Sequence, residues 1–464
     1  MGARPVADVI PSALLARLPP LSYRVLPDAF ESVLQDRFGR RAPRSALGRR
    51  PLLEYGLVVS AGFDPLSSSD GIDCPHRAAA VAGGGPDRET MDATAPTLLL
   101  VNKYYHDTGI AGGPGRYVVQ EEERLAAAGW RVVPFTMADD HVRPSPWERY
   151  FVRERDFSRP RWSRRAPGDA LAMIWNREAA VRLDALLREV RPDVAHLHNV
   201  YHHLSPSIIP VLGRHGIPVV MTLHDLRLLC PAITMLRDGE VCERCRGGRF
   251  HEAVLGRCVK GSRLASLLAA VETAHQHARG IYRRGVTRFI CPSRFYRDKF
   301  AEWGYPPEKL LHLPNFVDLE FWRPSARQAD AAYLYFGRLS PEKGLATLLA
   351  AQARWEREDG DGALELRLAG TGPAAEDLRR LAGALGARRV RFLGGLAAEA
   401  LRDALARVRF TALPSEWYEN APMSTLESLA AGRPVLATRI GGNAEILDDG
   451  REGVLVPPRD PDAL

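Results

Sequence analysis

No stretch of this chain approaches the roughly 18–20 consecutive apolar residues that span a bilayer, so a membrane-crossing helix is not expected. The first thirty residues lack a charged start followed by a clean apolar core, which argues against a secretory signal. Cysteine is sparse, with six in 464 residues. Without a secretory signal, that number points to a reducing compartment rather than a disulfide framework. The expected location is cytoplasmic, either free or peripheral at the inner membrane face. Lysine is scarcer still: five residues in a Lys and Arg total of 63. The bias toward Arg, Ala, Gly and Pro reads chiefly as base composition of the source genome. What is present is the balance of a globular protein, 45% hydrophobic and 26% charged, with a formal charge of +7. That charge suits anionic ligands such as nucleotide diphosphates, or an anionic membrane, and alone selects neither. The length accommodates two or three domains.

Residues 1–95 differ from the rest. They are rich in Pro, Arg, Ser and Gly, include Gly83-Gly84-Gly85-Pro86, and show no sustained hydrophobic period. This N-terminal extension is expected to be disordered, or to lie upstream of a natural start at Met91. From Thr97 onward short apolar strands alternate with helices, the pattern of a parallel sheet covered on both faces. Strands are expected at Thr97–Asn102, Trp130–Thr136, Asp193–His198 and Pro218–Leu223. Helices are expected at Tyr117–Ala128, Arg177–Val190 and Ser205–His215. The alternation restarts near Ala331, after a connector at Leu313-Pro314-Asn315-Phe316-Val317-Asp318. Two doubly wound α/β domains are therefore expected, at 96–316 and 317–464. The second stops where a further helix would begin, so it reads as cut short.

The densest cluster of chemistry is Leu413-Pro414-Ser415-Glu416-Trp417-Tyr418-Glu419-Asn420-Ala421-Pro422-Met423-Ser424-Thr425-Leu426-Glu427. A strand runs into a loop bearing Glu419, and Pro422 suits the first turn of the helix that carries Glu427. Amides ahead of that helix would face a ligand at the carboxyl end of the sheet, where the helix dipole favours a phosphate. Two ionised carboxylates suit sugar and ribose hydroxyls because they only accept hydrogen bonds. Two solvated glutamates beside an ordinary turn are the bland alternative. The stretch Phe336-Gly337-Arg338-Leu339-Ser340-Pro341-Glu342-Lys343-Gly344 also follows a strand. It sets Arg338 and Lys343 on one loop, and a departing diphosphate needs such cations as charge develops on its leaving oxygen. In the first half, Gly112 and Gly113 belong to a Gly-rich loop after the first strand, where backbone amides can come close to a ligand. This is no proper dinucleotide fingerprint. His224 ends a strand at the same face of the sheet.

Taken in order, these features resemble the retaining glycosyltransferases of the two-Rossmann (GT-B) type, group 1 or family 4, from about Thr97 to the C-terminus. Glu419 and Glu427 match that family's paired glutamates, and Gly337-Arg338 with Lys343-Gly344 match its phosphate loop. The resemblance implies two Rossmann-like domains facing across a cleft, the first on the acceptor side and the second binding the nucleotide sugar. It implies a UDP-, GDP- or similar donor and a hydroxyl acceptor such as a sugar, glycolipid or lipid-linked saccharide. Cell-surface polysaccharide or glycolipid synthesis would be the setting, with no cofactor required. By position, Glu419 would hold donor-sugar hydroxyls, with the amides of Asn420 and Ala421 nearby, and Glu427 the ribose. Arg338 and Lys343 would hold the diphosphate, His224 would contact the sugar near its reacting carbon, and Gly112 and Gly113 would border the cleft. Asn420-Ala421 stands where the family often has Gly-Phe, and Phe316 replaces a common Gly.

A Cys-rich insertion at 230–260 holds Cys230, Cys242, Cys245 and Cys258, and the Cys-x-x-Cys pair has the spacing of a zinc knuckle. Structural zinc and free thiols both remain open. Basic stretches at Arg279–Arg288 and Arg153–Arg165 are either membrane-docking surfaces or solvated faces. No nucleic-acid-reading module is present. Two other functions stay in view: a nicotinamide-dependent nucleotide-sugar oxidoreductase, and a non-catalytic nucleotide-sugar-binding protein.

Overall fold

A computed structural model of the chain describes residues 95–106, 112–155 and 166–464. The expectations for the N-terminal extension, and for most of the basic stretch Arg153–Arg165, therefore fall outside the described residues. The first sheet contains β1 (Thr97–Val101), β2 (Arg131–Phe135), β3 (Val194–Leu197), β4 (Val219–Thr222), β5 (Arg288–Cys291) and β6 (Leu310–His312). All pairings are parallel, in the order β6-β5-β4-β3-β1-β2. Alternation explains why β1 is apolar from Leu98 to Val101. Leu99 and Val101 enter one core with Val133, Phe135 and Leu197, while Leu98 and Leu100 enter another with Val118, Leu125 and Trp130. A strand buried on both faces needs no solvated polar side.

The second sheet contains β7 (Ala332–Phe336), β8 (Glu365–Ala369), β9 (Val390–Gly394), β10 (Thr411–Leu413), β11 (Val435–Thr438) and β12 (Gly453–Val456). It is again parallel, in the order β9-β8-β7-β10-β11-β12. Its core is separate, built on Leu334, Leu366, Leu368, Leu405, Leu429 and Ala437. Strand order reverses between β1 and β3 in one sheet, and between β7 and β10 in the other. Crevices open there at the carboxyl ends of the strands. Between the sheets, Phe316 is buried against Tyr117, with ring centroids 4.8 Å apart, and under the Arg124 guanidinium. The large residue in place of glycine thus pins the connector to the first domain.

Three helices depart from expectation. The helix after β1 spans Gly112–Ala127 (α1) rather than starting at Tyr117, so Gly112 and Gly113 form its first turn. The expected Ser205–His215 helix starts later, at Ile208–Arg214, because Ser205, at φ 63°, instead ends a separate short helix at Tyr201–Leu204. A 16-residue helix, Arg263–Ala278 (α2), has its polarity inverted, which hides it from pattern reading. Ser266, Glu272, Thr273 and Gln276 face inward, where Glu272 pairs with the buried Arg227. Leu264, Leu267 and Val271 face out, with Leu264 62% exposed. In the basic stretch after it, Tyr282 is buried and Arg283 donates to the Trp303 carbonyl at 3.2 Å, so part of that stretch is tied to the core.

Candidate active site

The second domain builds one wall from the loops after β7 and β10. Gly337 and Arg338 lie exposed just past β7. Among the described residues, no carboxylate lies within ion-pair distance of Arg338. Five residues on, Lys343 closes a short turn and Gly344 follows at φ 67°, a left-handed conformation that disfavours other residues. A Cβ at Gly344 would lie 1.9 Å from the Pro414 carbonyl oxygen, so only glycine lets the β7 loop seat against the β10 loop. That seating brings Lys343 Nζ to 2.6 Å from Glu419 Oε1 and over the Trp417 ring. Glu419 Oε1 also accepts from Trp417 Nε1 at 2.8 Å and from the Ser415 hydroxyl. All three of these bonds fall on Oε1, and the carboxylate is almost fully buried. Behind it, Gly442 donates to the Glu419 carbonyl at 2.8 Å, and a Cβ there would lie 1.7 Å from the Asn420 carbonyl. The Gly441-Gly442 turn thus holds the loop from beneath.

The first domain supplies the facing wall. Arg116, in the opening turns of α1, places Nη2 3.0 Å from Glu427 Oε1, an ion pair that crosses between domains. Glu427 lies on the helix Met423–Ala430 and is 3% exposed. Burial pushes its carboxyl up to about 7, against the opposing pull of Arg116. Asn420 spans the same gap: its Nδ2 donates to the Leu223 carbonyl at 2.8 Å, and its Oδ1 accepts from Ser293 at 2.9 Å. Ser293 also caps the helix Arg294–Glu302 through the Tyr296 amide. This accounts for the Asn in place of the family's usual Gly: the side chain is an interdomain strap. Asn315 Nδ2 donates to the Ala421 carbonyl at 2.8 Å, from the connector.

His224 follows Leu223 and is half-buried; burial pushes its imidazole well below the usual range. Its Nε2 lies 2.8 Å from His198 Nδ1. Lys103, two residues past β1, is lowered by burial and, to a smaller degree, by Arg338, while Asp225 opposes the shift. Two cations from different domains therefore feel one another across the gap.

The structure thus brings Lys343 onto Glu419, Glu427 under Arg116, and Asn420 beside the backbone of His224. Gly112 and Gly113 lie in the turn that precedes Arg116. Lys103, Arg116, Glu121, His196 and His198 were not singled out by sequence reasoning. Position was the missed signal: Lys103 and His198 both lie just past the carboxyl end of a strand flanking the crevice. The four insertion cysteines line one small cavity with Met235 and Trp303, and all are free thiols.

Two Rossmann-like domains meeting over acidic and cationic loops at their carboxyl edges define the GT-B class of glycosyltransferases. Known proteins agree. Residues 111–321 match the profile described as Glycosyltransferase Family 4, and residues 331–464 that of Glycosyl transferases group 1. The D-inositol 3-phosphate glycosyltransferase of Geodermatophilus obscurus is 36% identical over 378 residues, 76% of either chain. Glycogen synthase of Mycobacterium tuberculosis is 28% identical over 385 residues, 78% of this chain and 83% of its own. Among solved structures, sucrose-phosphate synthase of Thermosynechococcus elongatus superposes with a TM-score of 0.54 at 21% identity, covering 79% of this chain and 87% of that one. Anabaena HepE in complex with UDP-glucose gives 0.51 at 18%, covering 78% and 85%. The chain belongs to the group 1, family 4 glycosyltransferases and is an enzyme of glycosyl transfer. Neither the oxidoreductase nor the non-catalytic alternative is favoured by these matches.

Proposed function

We propose that this enzyme moves a sugar from a nucleotide-diphosphate donor to a hydroxyl acceptor with retention at the anomeric carbon. One observation carries the proposal: Lys343 meets Glu419 on one wall, and the same domain carries Glu427, held by Arg116 from across the gap, and the exposed Arg338, whose charge reaches Lys103 of the other domain. Such a surface offers cations to a diphosphate and carboxylates to hydroxyls. Arg338 and Lys343, with Lys103 opposite, neutralise the leaving diphosphate, so no cofactor is required. Glu419 takes sugar hydroxyls through its free Oε2, Glu427 takes the ribose, and His224 contacts the sugar. The amides of Asn420 and Ala421 border the diphosphate, and Gly112 and Gly113 border the cleft. In the transfer step the anomeric C–O bond to phosphate breaks, the acceptor oxygen bonds on the same face, and the leaving phosphate oxygen takes the acceptor proton. Positioning and preorganised charge supply the catalysis. A GDP donor fits the name of one relative, a GDP-mannose-dependent mannosyltransferase of Mycolicibacterium smegmatis, 34% identical over 190 residues, and a UDP donor fits the fold neighbour HepE, solved with UDP-glucose.

Arg338→Ala and Lys343→Ala should each lower turnover at least a hundredfold, about 3 kcal/mol; thermal unfolding should be unchanged in Arg338→Ala and earlier in Lys343→Ala, which leaves the buried Glu419 without its cation. Near-normal rates in both would overturn the proposal, as would a product of inverted anomeric configuration by NMR.

The acceptor is proposed to be a cell-surface polysaccharide or glycolipid precursor, met at the inner membrane face. No helix among the described residues is long and apolar enough to cross a membrane. Peripheral contact is supported by the outward stripe Leu264, Leu267 and Val271, flanked by exposed Arg263 and Arg279. Vesicles rich in phosphatidylglycerol should sediment the protein and phosphatidylcholine vesicles should not. Leu267→Glu with Val271→Glu should abolish sedimentation, and equal binding to both lipids would refute the contact.

A further inference from the structure

A chain of polar side chains runs through the first domain and ends at His224. Thr222 Oγ1 lies 2.7 Å from His196 Nε2, and His196 Nδ1 lies 2.5 Å from Glu121 Oε1. Glu121 Oε2 and His198 Nε2 are 3.1 Å apart, within ion-pair distance though off the line of a well-directed hydrogen bond. His198 Nδ1 then meets His224 Nε2 at 2.8 Å. Thr222, His196, Glu121 and His198 are fully buried; only His224 is partly exposed. Strand alternation puts His196 and His198 on one face, α1 brings Glu121 between them, and Tyr117 covers both His198 and His224 with its ring.

Burying an unpaired carboxylate is costly, so two imidazoles around Glu121 need an explanation beyond packing. Burial alone would raise its carboxyl, but the two imidazoles more than reverse this and hold it at about 2. An ionised carboxylate only accepts, so His196 gives its Nδ1–H to Glu121, while the Glu121 charge 3.1 Å from His198 Nε2 favours the His198 proton on that nitrogen by electrostatics. Burial depresses His198 to about 4, so it is neutral near pH 7 and its Nδ1 carries no proton. The hydrogen between His198 and His224 must then come from His224 Nε2. We propose that Glu121, acting through His198, fixes His224 as the Nε2–H tautomer, leaving His224 Nδ1 as a bare acceptor for a donor-sugar hydroxyl. Glu121 and His198 are positioning residues, and the last clause rests on the role proposed above for His224.

Glu121→Gln tests this without changing shape. A Gln amide can donate to His198 Nε2, which moves the His198 proton to Nδ1. That proton would point at His224 Nε2 and shift the His224 proton to Nδ1, turning an acceptor into a donor. Long-range ¹H–¹⁵N spectra of the imidazoles should show His224 as the Nε2–H tautomer in the wild type and the Nδ1–H tautomer in the variant. Turnover should fall about tenfold or more, with partial recovery in Glu121→Asp. A wild-type Nδ1–H tautomer overturns the proposal without any variant, as does a tautomer unchanged by Glu121→Gln. A switched tautomer with unaltered turnover upholds the coupling and removes His224 from the sugar site. The ligand atoms of Glu121, His196 and His198 also lie within 4.8 Å of one another. Stoichiometric metal that is lost in Glu121→Gln would therefore replace the proton network and refute it.

A separate observation concerns the insertion. Cys230, Cys242, Cys245 and Cys258 line one cavity, although little regular structure surrounds them. The insertion consists of the two-residue strands Leu236–Arg237 and Glu240–Val241, one short turn, and the five-residue helix His251–Leu255. Ile233, Met235, Asp238, Arg257 and Lys260 all have positive φ, which non-glycine residues adopt at a cost. So small and strained a unit calls for a cross-link. We infer that one structural zinc ion draws together the four sulfurs, no three of which lie within 4.8 Å of one another in this structure. The metal would brace Glu243, inside the Cys242–Cys245 knuckle, which accepts from Tyr418 at 3.2 Å and Lys299 at 2.8 Å, next to Glu419. Elemental analysis of protein prepared without added metal should give one zinc per chain. The double variant Cys242→Ser, Cys245→Ser should lose it and melt earlier. Zinc-free protein whose four thiols all titrate, or a disulfide among them by mass spectrometry, would overturn this.

Discussion

The charge on Glu427 is the most pH-sensitive quantity at the site. With its carboxyl pushed up to about 7, the side chain changes state in the physiological range. Ribose hydroxyls need an acceptor, so donor affinity should strengthen as pH rises through about 7, and Glu427→Gln should flatten that dependence. Measuring KM for the donor between pH 6 and 8 checks this; affinity that weakens with pH would contradict it. For stability the sign is opposite. The folded value lies above the ordinary glutamate value of about 4.3, so the protonated form favours the fold. That contribution is complete below about pH 4 and is lost as pH rises through about 7. Individual residues were legible in the sequence where a strand end met a loop of unusual chemistry, as with Lys343, Glu419 and Glu427. Glu121 was not legible, because it stands in an ordinary-looking run of three glutamates. Only folding selects the one whose neighbours are His196 and His198, 75 and 77 residues away in the chain.

At the level of elements, the β7 and β10 loops work as one part because Gly344 lets them touch. Gly344→Ala would place a methyl group 1.9 Å from the Pro414 oxygen in a left-handed backbone. About 2 kcal/mol or more of stability should be lost, read as a lower midpoint in urea. Turnover should fall further than stability alone explains, since Lys343 would leave Glu419; a variant with normal turnover would show the seating to be dispensable. Strands were easy to read because burial on both faces makes them predominantly apolar, as in β1 from Leu98 to Val101. Helix ends were harder: Ser205 ends a helix by a backbone angle that its side chain does not announce. The inverted helix α2 defeats periodicity altogether, since a buried Arg227–Glu272 pair puts its polar side where a core is expected.

Over the whole molecule, the two domains are joined by specific polar bonds, among them those of Asn420 with Leu223 and Ser293, Arg116 with Glu427, and Glu445 with the Arg294 and Phe295 amides. Asn420→Ala would remove the strap to Leu223 and Ser293 together. The variant should scatter X-rays with a larger radius of gyration and be cut faster by protease within the connector 313–331. Donor KM should rise several-fold while the melting of each domain stays nearly unchanged; identical scattering and KM would show that the strap bears no tension. The two-domain plan was legible from the restart of alternation near Ala331. The contacts between domains were not, because nothing local in Asn420, Arg116 or Glu427 announces a partner in the other half.

The strap has a practical corollary for anyone retuning sugar choice. Position 420 is an obvious target for redesign, since it adjoins the carboxylate proposed to grip the sugar. Its amide group also ties the two halves together, so a library varied there changes the interdomain link and the sugar fit at once. Varying 420 and 293 as a pair would separate the two traits.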